Sequence, residues 1–386
     1  MKTSTDRILT THVGSMPRPQ DVVDMLFAED QGTPFEQADY DEVMSRNVAT
    51  IVEQQKACGV DIPSDGEMSK ISYATYIRHR LTGFGLGEVP RATPKDLDEY
   101  PEFRDRLAKQ GGTPKYHRPI CQNAIAIKDM APLEKDVANM KAAMAAAGVE
   151  EGFMNAASPG VIAVFQPNQY YDTHEEYLQA LATVMKIEYE TIHAAGLILQ
   201  IDCPDLAMGR HIKFRDEDDA EFVRNAEMQV EALNYALSDI PADRVRMHLC
   251  WGNYEGPHTH DVPLATILPT VMKAKPQAVL FEGANPRHNH EWQEWADAAK
   301  SGAIPEDKIL IPGVLDTTTN FIEHPKLIAE RIVRLANIVG RERVIAGSDC
   351  GFGTFAGFGA VHPSICWGKL RSMTEGAQMA SDQLWG

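Results

Sequence analysis

The sequence predicts an α/β fold, a single (β/α)8 barrel, on three observations. Short apolar runs alternate with longer amphipathic ones along the chain. The short runs are too apolar to face water on either side, so they need helices on both faces of a parallel sheet. Nearly every short run then breaks into a polar, glycine-rich end, as "HVGS", "SDGE", "HLCWGN", "FEGAN" and "GSDCG" do. At 386 residues the chain lies within the range of one large barrel.

Taken in order, eight runs read as strands: 7–15, 59–67, 119–127, 196–204, 244–252, 278–283, 308–316 and 343–351. Helical spacing of apolar residues, three and four apart, covers 37–57, 133–147, 173–194, 218–237 and 325–339. Gly59, Gly148 and Gly340 follow three of these stretches as stop signals. The segment 83–118 is rich in glycine, proline and charge. It reads as an insertion after the second strand, serving as a lid or an oligomer contact. No internal repeat or low-complexity tract occurs, so residues 1–386 are expected to form one domain.

Composition excludes several partner classes. There are 37 basic and 55 acidic residues, a formal net charge of -18, and this gives neither nucleic acid nor an anionic membrane a basic surface to meet. No run of about 18 apolar residues occurs, so no membrane-spanning helix is expected. The start, "MKTSTDRILTTHVGS", has no secretory apolar core, and the cytoplasm is the expected location. The six cysteines show no CxxC and no short-range pairing, so neither a disulfide framework nor a zinc ribbon is indicated.

In a barrel of this type the loops at the C-terminal strand ends build one bowl, where residues distant in sequence meet. His248 and Cys250 end the fifth strand and Cys350 ends the eighth. Side chains two apart on a strand share a face, so His248 and Cys250 can point inward together. Two readings stand on spacing alone. The cysteines can be small buried hydrophobes with His248 bonded to a backbone carbonyl. Alternatively the three, with Glu282 on the strand between, form a zinc-binding set with a replaceable fourth position. Zinc would lower the pKa of an incoming thiol and supply a thiolate nucleophile.

From "TTHVGSMPRP" to "GSDCGFGTF" the chain resembles the cobalamin-independent methionine synthase family in its catalytic C-terminal barrel. The resemblance implies zinc on His248, Cys250, Glu282 and Cys350. It also implies a homocysteine pocket: Val13, Gly14 and Ser15 on the carboxylate, Glu67 and Asp202 on the ammonium group. Residues that bear on a folate donor depart from the family pattern. Gln166 stands near the place of a tryptophan, Thr318 stands where a histidine is usual, and no N-terminal barrel is expected beside this one. The implied activity is therefore zinc-dependent methyl transfer to homocysteine giving methionine, with a donor other than polyglutamyl folate. A corrinoid protein is one candidate donor.

Short relatives include epoxyalkane:coenzyme M transferase, which opens an epoxide with a zinc thiolate. That alternative requires an acid for the developing alkoxide, with His12, Tyr73, Tyr170 and His288 as candidates. It also calls for cations to meet a sulfonate, with Arg18, Lys70 or Arg287 as candidates. Two further alternatives are a metal-free enzyme of the uroporphyrinogen decarboxylase type and a non-catalytic zinc- or thiol-binding protein.

Overall fold

The computed structural model describes residues 1–87, 89, 92–109 and 116–386. Its strands are β1 (Leu9–Thr10), β2 (Phe84–Leu86), β3 (Pro119–Cys121), β4 (Phe153–Ala157), β5 (Ile198–Asp202), β6 (Val245–Leu249), β7 (Ala278–Phe281), β8 (Ile309–Leu315) and β9 (Ile345–Ser348). Among the described residues, seven of these form one curled sheet in the order β1-β9-β8-β7-β6-β5-β4, with every pair parallel. The eighth position is filled by extended chain at 61–64. Ile62 N–H donates to the Thr10 carbonyl, Ser64 bridges Phe153 in parallel, and Phe153 N–H donates to the Pro63 carbonyl. The sheet thereby closes as the (β/α)8 barrel expected.

Alternation along each strand separates two cores. Phe153, Ile198, Leu280, Ile311 and Ile345 point into the barrel and pack together. Leu199, Ile201, Met247, Val279 and Leu310 point outward against the helices. Above the inner apolar layer lies a polar one. Arg246 donates to Gln200 Oε1, Thr11 Oγ1 and the His12 carbonyl, with its guanidinium 3.5 Å from the centre of the Phe153 ring.

The outer layer is helical. It begins with α1 (Gln20–Gln31), α2 (Gln37–Ala57), α3 (Lys95–Glu99), α4 (Pro101–Leu107), α5 (Ala131–Ala147) and α6 (Pro159–Phe165). It continues with α7 (His174–Ala194), α8 (Asp219–Ala236), α9 (Leu264–Val271), α10 (Trp292–Lys300), α11 (Pro325–Val339) and α12 (Pro363–Trp385). The five helical stretches read from periodicity are α2, α5, α7, α8 and α11. Capping boxes start two of them, Thr173 with Glu176 on α7 and Asp218 with Glu221 on α8. Left-handed Gly148 ends α5.

The third barrel strand differs from the sequence expectation. It is β4, not the 119–127 run. Within that run only β3 is a strand, and it pairs antiparallel with β2 outside the barrel (Phe84↔Cys121, Leu86↔Pro119). The 83–118 segment starts in that ladder and carries α3 and α4 over the strand-end mouth. Its positions 88, 90, 91 and 110–115 lie outside the described residues. No helix among the described residues is long and apolar enough to cross a membrane.

Candidate metal centre and thiol pocket

Period-two geometry puts Arg246, His248 and Cys250 in one inward row on β6 and its end. His248 lies in register with Asp202 on β5. β9 ends at Ser348, and the following turn brings the Cys350 thiol to 3.2 Å from Cys250 Sγ. The ligand atoms of His248, Cys250 and Cys350 all lie within 4.8 Å of one another, and all three residues are buried. His248 Nε2 is 3.0 Å from the Asp349 carbonyl. A carbonyl only accepts, so Nε2 carries the ring proton and Nδ1 keeps its lone pair free. The backbone bond foreseen for a merely structural histidine therefore also prepares a ligand.

Electrostatics favour neutral groups here in the absence of a cation. Burial lowers the pKa of His248 against the pull of Asp202. The Cys350 thiol is pushed well up by burial and by Cys250. At Cys250 the contact with Cys350 favours the thiolate, but burial and Glu282 outweigh it, and its pKa is raised. Two adjacent thiols that resist ionisation beside an imidazole lone pair are a soft donor set, able to ionise against a bound cation.

Glu282 stands at the end of β7, outside that mutually close triad. Its Oε1 accepts from the Trp251 N–H at 2.7 Å and its Oε2 from the Asn285 amide at 2.7 Å. Asp349 ties the two strand ends together by accepting from the backbone N–H groups of Gly283, Ala284 and Asn285, each at 2.8 Å. This carboxylate fixes Glu282 relative to Cys350.

The triad shares a cavity of about 50 Å³ with Val13, Ser15, Glu67 and Asp202. Gly14 lies behind this wall, where a Cβ would stand 2.2 Å from Asn155 Oδ1 and φ is +142°. Only glycine lets Asn155 come this close. Asn155 in turn donates to both Asp202 oxygens (3.2 and 3.0 Å) and to the Val13 carbonyl (2.9 Å). Gln200 adds a donor to Asp202 at 2.9 Å. Glu67 sits in left-handed backbone, φ 55°, and its Oε2 is buried without a hydrogen bond. Burial pushes its pKa up to about 7, Lys70 opposing and Asp202 reinforcing.

A second cavity, of about 190 Å³, lies above and shares Tyr73, Met208, Asn253 and Thr354 with the first. Leu97, Tyr116, Phe165, Tyr254 and Phe355 give it aromatic and apolar walls. Leu97 comes from α3, so the 83–118 segment forms part of this chamber.

Of the acid candidates, Tyr73 alone lines the two cavities. His12 is buried against Gln55 at 2.6 Å and accepts from the Gly14 N–H. Tyr170 is about half exposed, and His288 stacks behind Trp251 with ring centres 4.4 Å apart. Arg18 donates to the Glu67 and Gly353 carbonyls, Lys70 donates to the Asn155 carbonyl, and Arg287 is exposed. Gln166 is held by the Ala74 carbonyl and Thr318 by Asp316, and neither lines the cavities. Sequence reasoning missed Asn155, Gln200, Arg246, Asn253 and Asp349. Asn155 had a visible signal, a polar residue inside the short run "FMNAA" between Gly152 and the Ser158-Pro159 helix start.

The model of the family described as cobalamin-independent synthase, catalytic domain, matches residues 116–362. A methionine synthase of Sulfolobus acidocaldarius is 22% identical over 97% of this chain and 93% of its own. One of Saccharolobus islandicus is 25% identical over 97% of this chain and 95% of its own. Among solved structures, a B12-independent methionine synthase from Shewanella sp. W3-18-1 in complex with selenomethionine aligns with a TM-score of 0.74. That alignment covers 98% of this chain and 99% of the other at 15% identity. A putative vitamin-B12-independent methionine synthase from Listeria monocytogenes aligns with a TM-score of 0.65 over 98% and 99%, at 18% identity. These two structures carry the same fold. With most of its length matched, the chain belongs to the cobalamin-independent synthase family, in the catalytic domain.

Proposed function

We propose that this protein is a zinc-dependent thiol alkyltransferase that methylates homocysteine to methionine. One observation carries the reading: His248, Cys250 and Cys350 share a single cavity with the carboxylates of Glu67 and Asp202. The methionine synthase names of the Sulfolobus and Saccharolobus relatives agree with it. His248, Cys250 and Cys350 would hold the ion, with Glu282 as a replaceable fourth partner. Bound zinc lowers the pKa of a thiol, making a thiolate available near neutral pH.

The remaining work falls to the chain itself. Glu67 and Asp202 take the ammonium group of the acceptor, and Glu67 Oε2, with Arg18 Nη2 at 4.0 Å and no hydrogen bond, gains a donor. Of the Val13, Gly14 and Ser15 stretch, Ser15 is left to hold its carboxylate with its hydroxyl, because the Val13 and Gly14 N–H groups already donate to Ser348 Oγ and His12 Nδ1. Held at both ends, the acceptor presents its sulfur to the Cys250–Cys350 side. The donor enters through the larger cavity, and the 83–118 segment covers that entrance and excludes water. As the new carbon–sulfur bond forms, the bond from that carbon to the donor breaks.

A second reading, epoxide opening with coenzyme M, draws on Tyr73. Burial and both thiols hold its phenol well above the ordinary pKa, so it stays protonated and able to donate to an alkoxide. Against this reading, Arg18 and Lys70 are already committed to backbone carbonyls.

Calorimetric titration of the zinc-loaded protein separates the two. The measurement uses homocysteine and coenzyme M in two buffers of different ionisation enthalpy, so that a released proton is detected. Homocysteine is expected to bind with proton release and coenzyme M to stay silent. Proton release with coenzyme M alone would replace methylation by epoxide opening, and silence from homocysteine would overturn the reading.

A further inference from the structure

A second group of metal-ligating side chains lies behind the wall of the pocket. His211 ends the turn Met208–His211 after β5, His258 and Asp261 lie in the loop after β6, and His288 follows β7. We propose that His258, Asp261 and His288 form a second metal site, distinct from the cysteine centre, that takes a divalent transition ion such as zinc on two imidazoles and one carboxylate, with His211 beside it outside the mutually close group.

The convergence is tight. Asp261 Oδ2 lies 2.9 Å from His258 Nδ1 and 3.0 Å from His288 Nε2, and Asp261 Oδ1 lies 3.4 Å from His211 Nδ1. The ligand atoms of His258, Asp261 and His288 fall within 4.8 Å of one another. Ring centres are 6.3 Å apart for His211 and His258, and 6.4 Å for His258 and His288. All four side chains are at least nine-tenths buried.

The outer partners are those that metal-bound histidines have. His288 Nδ1 meets the Glu291 carboxylate at 3.0 Å, and His258 Nε2 meets the Tyr254 carbonyl at 3.0 Å. Each such contact takes the ring proton and leaves the other nitrogen to face Asp261 with its lone pair. Hydrogen bonding alone would require both rings to carry two protons around one aspartate. It would still leave gaps. Oδ1 of Asp261 and Nδ1 of His211, 3.4 Å apart, are both buried without a hydrogen bond. Orphaned acceptors aimed at a shared centre are what an ion would satisfy. His258 and Glu67 are also the two non-glycine residues in left-handed backbone among the described residues. The His258 N–H is meanwhile anchored on Asp96 at 2.7 Å.

Imidazole and carboxylate donors without sulfur suit zinc or another mid-row divalent ion, not a soft monovalent one. The site would brace the pocket without touching the substrate. His288 stacks on Trp251, whose N–H holds Glu282, and Asp96 of α3 accepts from Tyr254 and His258. An ion here links the 83–118 segment to the strand ends.

Metal counting on the full-length protein tests this. Zinc-saturated protein, dialysed free of loose ion and assayed by mass spectrometry, is expected to retain two ions per chain, and Cys350→Ser one. In the cobalt(II)-substituted protein, His288→Gln should lose one ion yet keep the sulfur-to-metal charge-transfer band of the cysteine centre. The double variant Cys250→Ser/Cys350→Ser should keep a cobalt spectrum lacking that band, which preserves the test should His288→Gln not fold. A single wild-type ion that Cys350→Ser loses, or a double cysteine variant that folds and holds none, would overturn the second site; a single ion that the double cysteine variant keeps would leave the second site standing and overturn the first.

Discussion

Glu67 combines two unfavourable states, a left-handed backbone and a buried carboxyl whose Oε2 has no hydrogen bond. Strain of this kind persists where the surroundings impose it and a ligand relieves it. With its pKa near 7 instead of the ordinary 4.5, the free protein protonates Glu67 within the working range of pH. An ammonium group needs the ionised form. The affinity for homocysteine should therefore fall more steeply below about 7 than the thiol proton released on binding accounts for, by up to about tenfold more per pH unit, as expected for one further proton competing at one site. In Glu67→Gln that extra dependence should vanish, leaving weaker binding in calorimetry with only the slope of the released thiol proton across the same range. Persistence of the steeper limb below about 7 would remove Glu67 from the ammonium site. Stability runs the other way. The folded state holds this proton more tightly than the unfolded chain, so ionising Glu67 costs stability as pH rises from about 4.5 to about 7.

Between elements, the contact that matters most is the one from α3 to the loop after β6. Asp96 is fully buried and accepts from Tyr254 Oη at 2.8 Å and the His258 N–H at 2.7 Å. Hydrogen bonds to a buried charge are worth about 1.5–3 kcal/mol each. Asp96→Ala should release α3 and α4 from the mouth. Hydrogen exchange over 95–107 should speed by roughly ten- to a hundredfold, while β6 and β7 stay protected. Equal acceleration in the barrel strands would mean that Asp96 supports the whole fold. This link was invisible in the sequence because it joins residues far apart through a backbone donor. What was legible followed a period. His248 and Cys250 are legible because two residues on a strand return to one face, and α7 because its apolar residues recur three and four apart. The third strand was misread for a matching reason. "AIAI" at 124–127 alternates like a strand, whereas "FMNAA" at 153–157 has a polar centre and two alanines of low strand preference. Its place between the 61–64 segment and β5 makes it a strand. Asn155, and with it the support of Asp202, was lost together with that strand.

At the scale of the molecule, the barrel is complete beneath its strand ends. The inner apolar layer of Phe153, Ile198, Leu280, Ile311 and Ile345 closes it below. In the polar layer above, Arg246 bonds Gln200, Thr11 and His12 while Asn155 and Gln200 hold Asp202, and Asn155 Oδ1 is left without a partner. Nothing in either layer needs an ion. Metal should thus stabilise this fold by linkage and not by nucleating it, unlike small domains that unfold without zinc. Stripping the protein with a chelator should leave far-ultraviolet circular dichroism and a cooperative unfolding transition intact. The transition should move to lower temperature, and readded zinc should restore it. Free zinc at about a thousand times the dissociation constant of one site corresponds to about 4 kcal/mol. Cys350→Ser should have the low transition from the start and respond less to zinc. Loss of helical signal on chelation would instead place metal within the folding of the barrel, and the satisfied layer around Arg246 would then be a consequence of the bound ion and not its foundation.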